Sequence, residues 1–274
     1  MGITTTRARM SLEQWIKNRE MRGSVTFSIE DVYTAFPNKL QKTIQNELNR
    51  SVTHGRIVSV YRGFYVVIPV EYQLKRLIPP TYYINALMPY VGKPYYLCLL
   101  TAGAFYGAAH QRPMITQVMT IAPRVKVSKK NPDIQWVYRA EIPNTLLHRV
   151  NNQIGQLCVS SPELTAVDLV QYAHHVGGYQ RAATVLSELM ESVDMQKMKE
   201  VIHYTTIATI QRLGYILEFV LEETEKAEQL FVILKNHTPK YKTISMSTTH
   251  ASSKSSKSNR WHVNMNIDIE IDDL

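Results

Sequence analysis

Cysteine is scarce in this 274-residue sequence, which contains only Cys98 and Cys158. Both lie in apolar runs that we predict to be strands, and this favours buried structural thiols over a redox pair. Two cysteines alone make no zinc site. The cysteine content therefore predicts a protein of a reducing compartment, which we take to be the cytoplasm.

Long apolar stretches are also missing, because no run approaches the roughly 20 residues that a membrane-spanning helix needs. Hydrophobic residues make up 45% of the chain and charged residues 20%, a balance that is typical of globular proteins. A length of 274 residues exceeds what one hydrophobic core commonly serves. We therefore expect two domains and no membrane partner.

Sequence patterns for catalysis are absent or incomplete. No serine stands in the Gly-x-Ser-x-Gly frame of acyl-transfer enzymes. Asp268, Glu270 and Asp272 have a metal-holding spacing, but no glycine–serine nucleotide motif or partner lysine accompanies them. Alternation along a solvent-facing strand explains these carboxylates, and the adjacent His174 and His175 would point in different directions on a helix. We therefore predict no enzyme, no catalytic residue, no metal and no cofactor.

Residues 28–68 show the most informative local pattern of the chain. Ser28 followed three positions later by the acid Asp31 is the signature of a helix start. A longer helix follows, closed by Gly55, with an apolar stripe spaced by four residues: Leu40, Ile44, Leu48 and Val52. Two β-rich runs between residues 56 and 68 then predict a hairpin.

Helix, turn, helix and hairpin in this order predict a winged helix-turn-helix over residues 1–76. The outer face of the longer helix is basic and amide-rich, as a helix in the DNA major groove requires. Residues 1–76 contain 12 lysines and arginines against 6 acids, a net charge of +6, whereas the remainder has a net charge of +2. A small module for protein contact is the alternative. The candidate DNA-binding residues are Lys39, Lys42, Thr43, Asn46, Asn49, Arg50, Arg56, Tyr61 and Arg62.

Residues 77–274 are predicted to form a larger α/β (α+β) domain with a mixed sheet, and Pro79-Pro80 marks its start. The Ser/Lys-rich segment 245–260 has too few apolar residues to offset its ordering entropy, so we predict a mobile loop. The predicted strands are 95–100, 117–121, 135–140, 156–159 and a final one at 261–271 that returns to the sheet, and the predicted helices are 81–91, 101–109, 161–173, 179–191 and most of 194–235.

A basic run in the second domain has two interpretations. A solvated hairpin tip is the usual one for such a run. The other is a second surface for nucleic acid or for the acidic part of a partner. The residues of this run are Arg124, Lys126, Lys129 and Lys130.

Several motifs of the second domain follow one another in a characteristic order. They are His110-Gln111, the segment 161–170, Gly177-Gly178 with 183–186, the segment 212–214, and the terminal residues Trp261, Asn264, Ile269, Glu270 and Asp272. Together they resemble the AbiEi family, the antitoxins of type IV toxin–antitoxin systems. The likeness covers nearly the whole chain, winged module included, although the Ser/Lys segment is longer and more polar than the family pattern.

The resemblance implies two functions. The winged module would repress its own operon by binding operator DNA, which we expect to contain inverted repeats. The protein would also counteract a nucleotidyltransferase toxin without forming a stable complex, and we assign this role to residues 77–274 with the basic run as its surface. The alternative is a ligand-responsive winged-helix regulator without antitoxin activity, and a nucleic-acid-processing enzyme that uses the terminal carboxylates is a more distant one.

Overall fold

A computed structural model describes residues 10–74, 78–108, 113–125, 133–152, 154–249 and 258–271. The chain forms two compact units. The first comprises Met1–Pro94, Pro123–Ile134 and Asn151–Gln156, and the second comprises Tyr95–Ala122, Gln135–Val150 and Leu157–Leu274. The first unit thus extends beyond the boundary that the sequence suggested at residue 76, and it includes two later segments of the chain.

The first unit contains four α-helices and three strands among its described residues. Its small sheet is antiparallel, with β3 between β1 and β2. This element order is consistent with a winged helix-turn-helix in which α3 is the recognition helix and the β2–β3 hairpin is the wing. The elements are α1 (Leu12–Met21), β1 (Thr26–Ser28), α2 (Ile29–Ala35), α3 (Gln41–Thr53), β2 (Ile57–Tyr61), β3 (Phe64–Val67) and α4 (Ile84–Val91).

Local side-chain chemistry determines where the helices of this unit begin and end. The Ser28 hydroxyl accepts from the Asp31 amide at 3.0 Å, and the Asp31 carboxylate accepts from the Ser28 amide at 2.8 Å. This reciprocal capping box confirms the predicted start of α2. Gly55 follows the end of α3 at a φ of 70°, a conformation that glycine adopts without steric cost.

The predicted apolar stripe of α3 is only partly correct. Ile44 and Leu48 are buried in the core of the unit, and Val52 packs against that core. Leu40 is instead 78% exposed, because it is the N-cap of α3 and its extended backbone turns its side chain out of the helical stripe. The core that the stripe joins also contains Leu12, Ile16, Phe27, Val32, Ile57 and Val67.

The second unit is built on a five-stranded mixed sheet, which confirms the predicted α/β class. The strand order is β6-β5-β4-β8-β7, with β4 antiparallel to β5 and parallel to β8. The elements are β4 (Tyr95–Leu97), α5 (Leu99–Phe105), β5 (Thr116–Ile121), β6 (Ile134–Arg139), β7 (Leu147–Asn152), β8 (Gly155–Ser160), α6 (Pro162–Gln171), α7 (Tyr179–Leu189), α8 (Met198–Val201), α9 (Ile207–Phe219), α10 (Thr224–His237), β9 (Ile244–Ser245) and β10 (Val263–Asn264).

The predicted final strand at 261–271 is wrong. Only β10 forms, and it pairs in parallel with β9 rather than joining the five-stranded sheet. Alternating apolar residues suit a strand, but a strand also needs a free sheet edge beside it. Residues 265–271 follow an irregular path and are part of no strand in the described chain.

Trp261 is the anchor of this C-terminal segment. Its buried indole packs on α9 at Gly214, where a Cβ atom would overlap the ring. The Trp261 Nε1 donates to Glu218 at 2.6 Å, and the Trp261 carbonyl accepts from Gln211 at 2.7 Å. Gly214 and Trp261 therefore form one packing contact, although 46 residues separate them in the sequence.

The predicted mobile loop at 245–260 is too wide at both ends. Ser245 belongs to β9, and Met246 and Ser247 are buried. At the other end, Arg260 forms ion pairs with Glu218 at 2.7 Å and with Glu228. Residues 250–257 lie outside the described part of the chain.

None of the helices in the described segments combines the length and the apolar character that a membrane crossing requires.

Candidate nucleic-acid interface

The outer face of α3 presents a set of exposed polar side chains without a carboxylate among them. Helical geometry places these residues on the side of α3 that faces away from Ile44 and Leu48. Amide and cationic side chains are the groups that read base edges and bind phosphates. The exposed members of this face, which we call the α3 face, are Lys42, Thr43, Asn46, Asn49 and Arg50.

Lys39 is a predicted DNA-binding residue whose charge is already paired within the unit. Its Nζ lies 2.6 Å from the carboxylate of Glu47 and 5.5 Å from the centre of the Phe36 ring. Both members of the pair are partly exposed, so the pair contributes little to stability. Its main consequence is that the charge of Lys39 is already engaged, whereas Lys42 has no such ion pair in the described chain.

Arg62 stands at the tip of the wing with its side chain exposed. The backbone beneath it is fixed, since Tyr90 Oη of α4 donates to the Arg62 carbonyl at 3.2 Å. Gly63 follows at a φ of 73°, and a Cβ atom there would lie 2.7 Å from Tyr90 Oη. The wing tip is thus held tightly at its backbone while the guanidinium is free to reach a ligand.

Tyr90 is the residue of this site that sequence reasoning missed. Its ring also packs against Tyr61 and Phe64, with centroid separations of 6.1 and 5.2 Å. Tyr61, predicted to touch DNA, is therefore half-buried beside Tyr90, and Arg56 is half-buried as well. No local pattern marks Tyr90, because its contacts reach across 28 residues of sequence.

The predicted basic surface of the second domain can be placed only at Arg124, which is exposed. Lys126, Lys129 and Lys130 lie outside the described residues. His110, Gln111 and the terminal carboxylate Asp272 also lie outside the described residues.

The other ionisable residues singled out in the sequence form no cluster with the geometry of a metal site. Asp268 and Glu270 are exposed on an irregular segment. His175 Nδ1 lies 3.2 Å from Gln135 Nε2, and burial together with the neighbouring His174 lowers the pKa of His175. Within the described ranges, no group of three or more histidine, cysteine, aspartate or glutamate side chains could hold a metal ion.

A buried polar network of the second unit joins β4, β6 and α6. Tyr96 Oη donates to Asp168 at 2.7 Å, and Arg139 Nη1 donates to Tyr96 Oη at 2.7 Å and lies 3.4 Å from Asp168. Arg139 Nη2 donates to the carbonyl of Tyr204 at 2.7 Å. Burial raises the pKa of Asp168 to about 6, although Arg139 and the Tyr96 hydrogen bond act in the opposite direction.

This network explains why polar residues recur in the segment 161–170. Every residue of α6 from Pro162 to Val170 is buried. Glu163 accepts from the Asp194 amide at 2.9 Å, and Thr165 lies 2.7 Å from the Ser160 hydroxyl. These side chains stabilise the interior of the unit and do not form a surface site.

Both cysteines are buried and unbridged, as predicted. Burial raises the pKa of Cys98 and that of Cys158, so neither thiol has the character of an activated nucleophile.

Comparison with known proteins adds a family and a fold. Residues 95–219 match a family model described as the AbiEi antitoxin C-terminal domain. The RV2827C protein from Mycobacterium tuberculosis, known from a crystal structure, is similar in fold, with a TM-score of 0.69 at 13% sequence identity. That similarity covers 93% of this chain and 91% of the other. No curated protein matches the sequence.

Proposed function

We propose that this chain, whose residues 95–219 match the AbiEi antitoxin C-terminal domain, is the antitoxin and the transcriptional autorepressor of a type IV toxin–antitoxin system. Residues 1–76 bind the operator of its own operon. Residues 77–274 counteract a nucleotidyltransferase toxin without forming a stable complex. The protein acts in the cytoplasm as a non-enzymatic regulator and needs neither a metal nor a cofactor.

The observation that carries the DNA-binding half of this proposal is the α3 face. Asn46 is suited to pair with adenine, and Lys42 is suited to guanine or to a phosphate. Arg62 on the fixed wing tip follows the DNA backbone or the minor groove, where it contributes to affinity more than to sequence preference. A monomer with this face binds each half of an inverted repeat separately.

The DNA-binding proposal is tested by titrating the full-length protein into duplexes from its own promoter region and into random duplexes. Asn46→Ala should cost about 1–3 kcal/mol on promoter DNA and little on random DNA. Arg62→Ala should weaken binding to both and reduce the dependence on salt.

Lys17→Ala is the matched control for Lys42→Ala, because Lys17 is equally exposed but lies on α1. Lys17→Ala should leave promoter binding unchanged, whereas Lys42→Ala should reduce it. Promoter affinity that stays the same in Asn46→Ala, Lys42→Ala and Arg62→Ala would remove the assignment of α3 to the groove.

The antitoxin half of the proposal rests on the family of residues 95–219 and on the charge of the neighbouring basic run. Arg124 is exposed, so an acidic surface or a nucleic acid can reach it. We assign the toxin-countering contact to Arg124, Lys126, Lys129 and Lys130. The DNA-binding role already occupies the α3 face and Arg62, so a separate set of basic residues is required for the second role.

Growth of cells that express the cognate toxin tests this half. The full-length protein with Arg124, Lys126, Lys129 and Lys130 all changed to glutamate should fail to restore growth while it still binds promoter DNA. Asn46→Ala should still restore growth, whereas its binding to promoter DNA should be weaker. Substitutions suit this test better than truncation after residue 78, because Tyr90 supports the wing and the first unit includes segments up to Gln156.

A ligand-responsive regulator is the second candidate, and one feature of the first unit favours it. A cleft of about 290 Å³ there combines carboxylates with apolar walls, which is a suitable environment for a small organic cation. If the variant with all four basic residues changed to glutamate restores growth fully, the proposed antitoxin surface is excluded. If the unaltered protein fails to restore growth, the ligand-responsive regulator is favoured. The cleft is lined by Glu20, Gly23, Val25, Val67, Pro69, Glu71, Tyr82 and Ile154.

A further inference from the structure

Leu40 combines two unfavourable local features at the start of α3. It occupies the N-cap, where serine, threonine, aspartate or asparagine would bind a free backbone amide, and no side chain caps this helix. It is also 78% exposed, so it gains no compensating burial in the core. A residue that is unfavourable for its local structure and makes no stabilising contact in the folded chain is expected at a functional site.

The position of Leu40 gives this apolar group a specific environment once DNA is bound. Residues at the N-terminal end of a recognition helix are those that meet base edges in the major groove. Thr43, one helical turn further on, and Lys42 are exposed beside it. Lys39, on its other side, is turned towards Glu47 and Phe36 by the contacts described above.

The major groove offers only one apolar group to such a side chain. Among the base edges there, thymine alone presents a methyl group, and the other positions are hydrogen-bond donors or acceptors. A leucine can contact that methyl group but can form no hydrogen bond with the remaining edges. An exposed leucine at this position therefore selects one base by apolar contact.

We infer that Leu40 determines specificity by packing against the 5-methyl group of a thymine in each operator half-site. This inference rests on the proposed operator binding by α3, and it names one feature of the DNA sequence. It also accounts for the uncapped start of α3, since a capping residue would remove the apolar contact.

The experiment selects duplexes from a library of random double-stranded DNA with the full-length protein and then replaces each thymine of the selected duplex by uracil. Uracil lacks only the methyl group, and loss of the contact with one buried methyl group lowers affinity about fourfold. We expect the unaltered protein to lose about fourfold at one thymine of each half-site. Leu40→Ala should bind the thymine and uracil duplexes equally at that position.

Two further variants separate this role from a structural one. Leu40→Ser restores a capping side chain, so the melting temperature should rise by about 2–4 °C while the preference for thymine disappears. Leu74→Ala removes a leucine that is 99% exposed elsewhere in the first unit and should keep the uracil penalty unchanged.

Three outcomes would overturn the inference. If uracil has no effect at any position, no methyl contact exists. If Leu40→Ala keeps the uracil penalty of the unaltered protein, another residue makes the contact. If the selection enriches no sequence, both the proposed operator recognition and the inference fail. In the first two outcomes, by contrast, operator recognition stands and only the inference about Leu40 fails.

Discussion

Replacing Gly214 by alanine should destabilise the second unit, although the same change in a helix usually stabilises a protein. Alanine is favoured over glycine in a helix by about 0.8–1 kcal/mol. At Gly214, however, the new Cβ atom would overlap three atoms of the Trp261 ring. Packing excess volume into a filled core costs about 1–3 kcal/mol.

The Trp261 ring cannot relieve this overlap by a small shift. It is fully buried, its Nε1 is bound to Glu218, and the carbonyl of the same residue is bound to Gln211. The overpacking cost therefore lies at the upper end of its range, and we expect Gly214→Ala to lower the free energy of unfolding by about 2 kcal/mol. The melting temperature of the second unit should fall by about 4–8 °C.

Urea unfolding followed by tryptophan fluorescence and near-ultraviolet circular dichroism measures this effect. Gly103→Ala in α5 is the matched control, because its Cβ atom would lie 3.2 Å from a methyl group of Val185, a tight contact rather than an overlap with a ring. That change should have a small effect of either sign. The double variant Gly214→Ala/Trp261→Leu should lose less stability than the two single changes together. A neutral or stabilising Gly214→Ala would refute the placement of the Trp261 ring on α9.

Two other predictions concern the buried network and the wing. Burial raises the pKa of Asp168 to about 6, above its unfolded value near 4, so the native state binds the extra proton between these values and loses stability as the pH rises through them. In urea titrations, the unaltered protein should therefore be more stable than Asp168→Asn by a larger margin at about pH 4.5 than at about pH 7. An equal margin at both pH values would contradict this assignment. Tyr90→Ala should weaken binding of the full-length protein to promoter and random duplexes alike, because the backbone of Arg62 loses its support, whereas Tyr90→Phe should keep most of the affinity. A change confined to promoter DNA would show that Tyr90 acts on base recognition instead.

The elements that could be predicted from the sequence are those fixed by neighbouring residues. The capping box of Ser28 and Asp31 and the helix end at Gly55 depend on contacts within a few positions, and both occur as expected. The helical region predicted over most of 194–235 also occurs, as α8, α9 and α10.

The wrong predictions concern patterns whose outcome depends on a partner distant in sequence or on the residue at which a helix begins. A spacing of four residues cannot distinguish the N-cap from the first turn of a helix, so Leu40 was assigned to the stripe. The alternation at 261–271 predicts a strand but contains no information about a free sheet edge. The pairing of Asp168 with Arg139 and the support of the wing by Tyr90 arise only in the folded chain.

Several residues in the segments that resemble the AbiEi family lie inside the second unit, which limits where the proposed antitoxin surface can be. Asp168 and Glu163 are buried beneath the surface, and Gly214 is the contact for a buried tryptophan. Residues of this kind determine how the second unit folds, because each satisfies a hydrogen bond or a packing contact inside it. Because these side chains are buried, they offer no surface to a partner. The fold shared with the RV2827C protein at 13% identity supports the same separation, since the fold is retained while the great majority of side chains differ. If the proposed antitoxin function is correct, its side chains lie among exposed residues such as Arg124, and substitutions there separate lost function from lost folding.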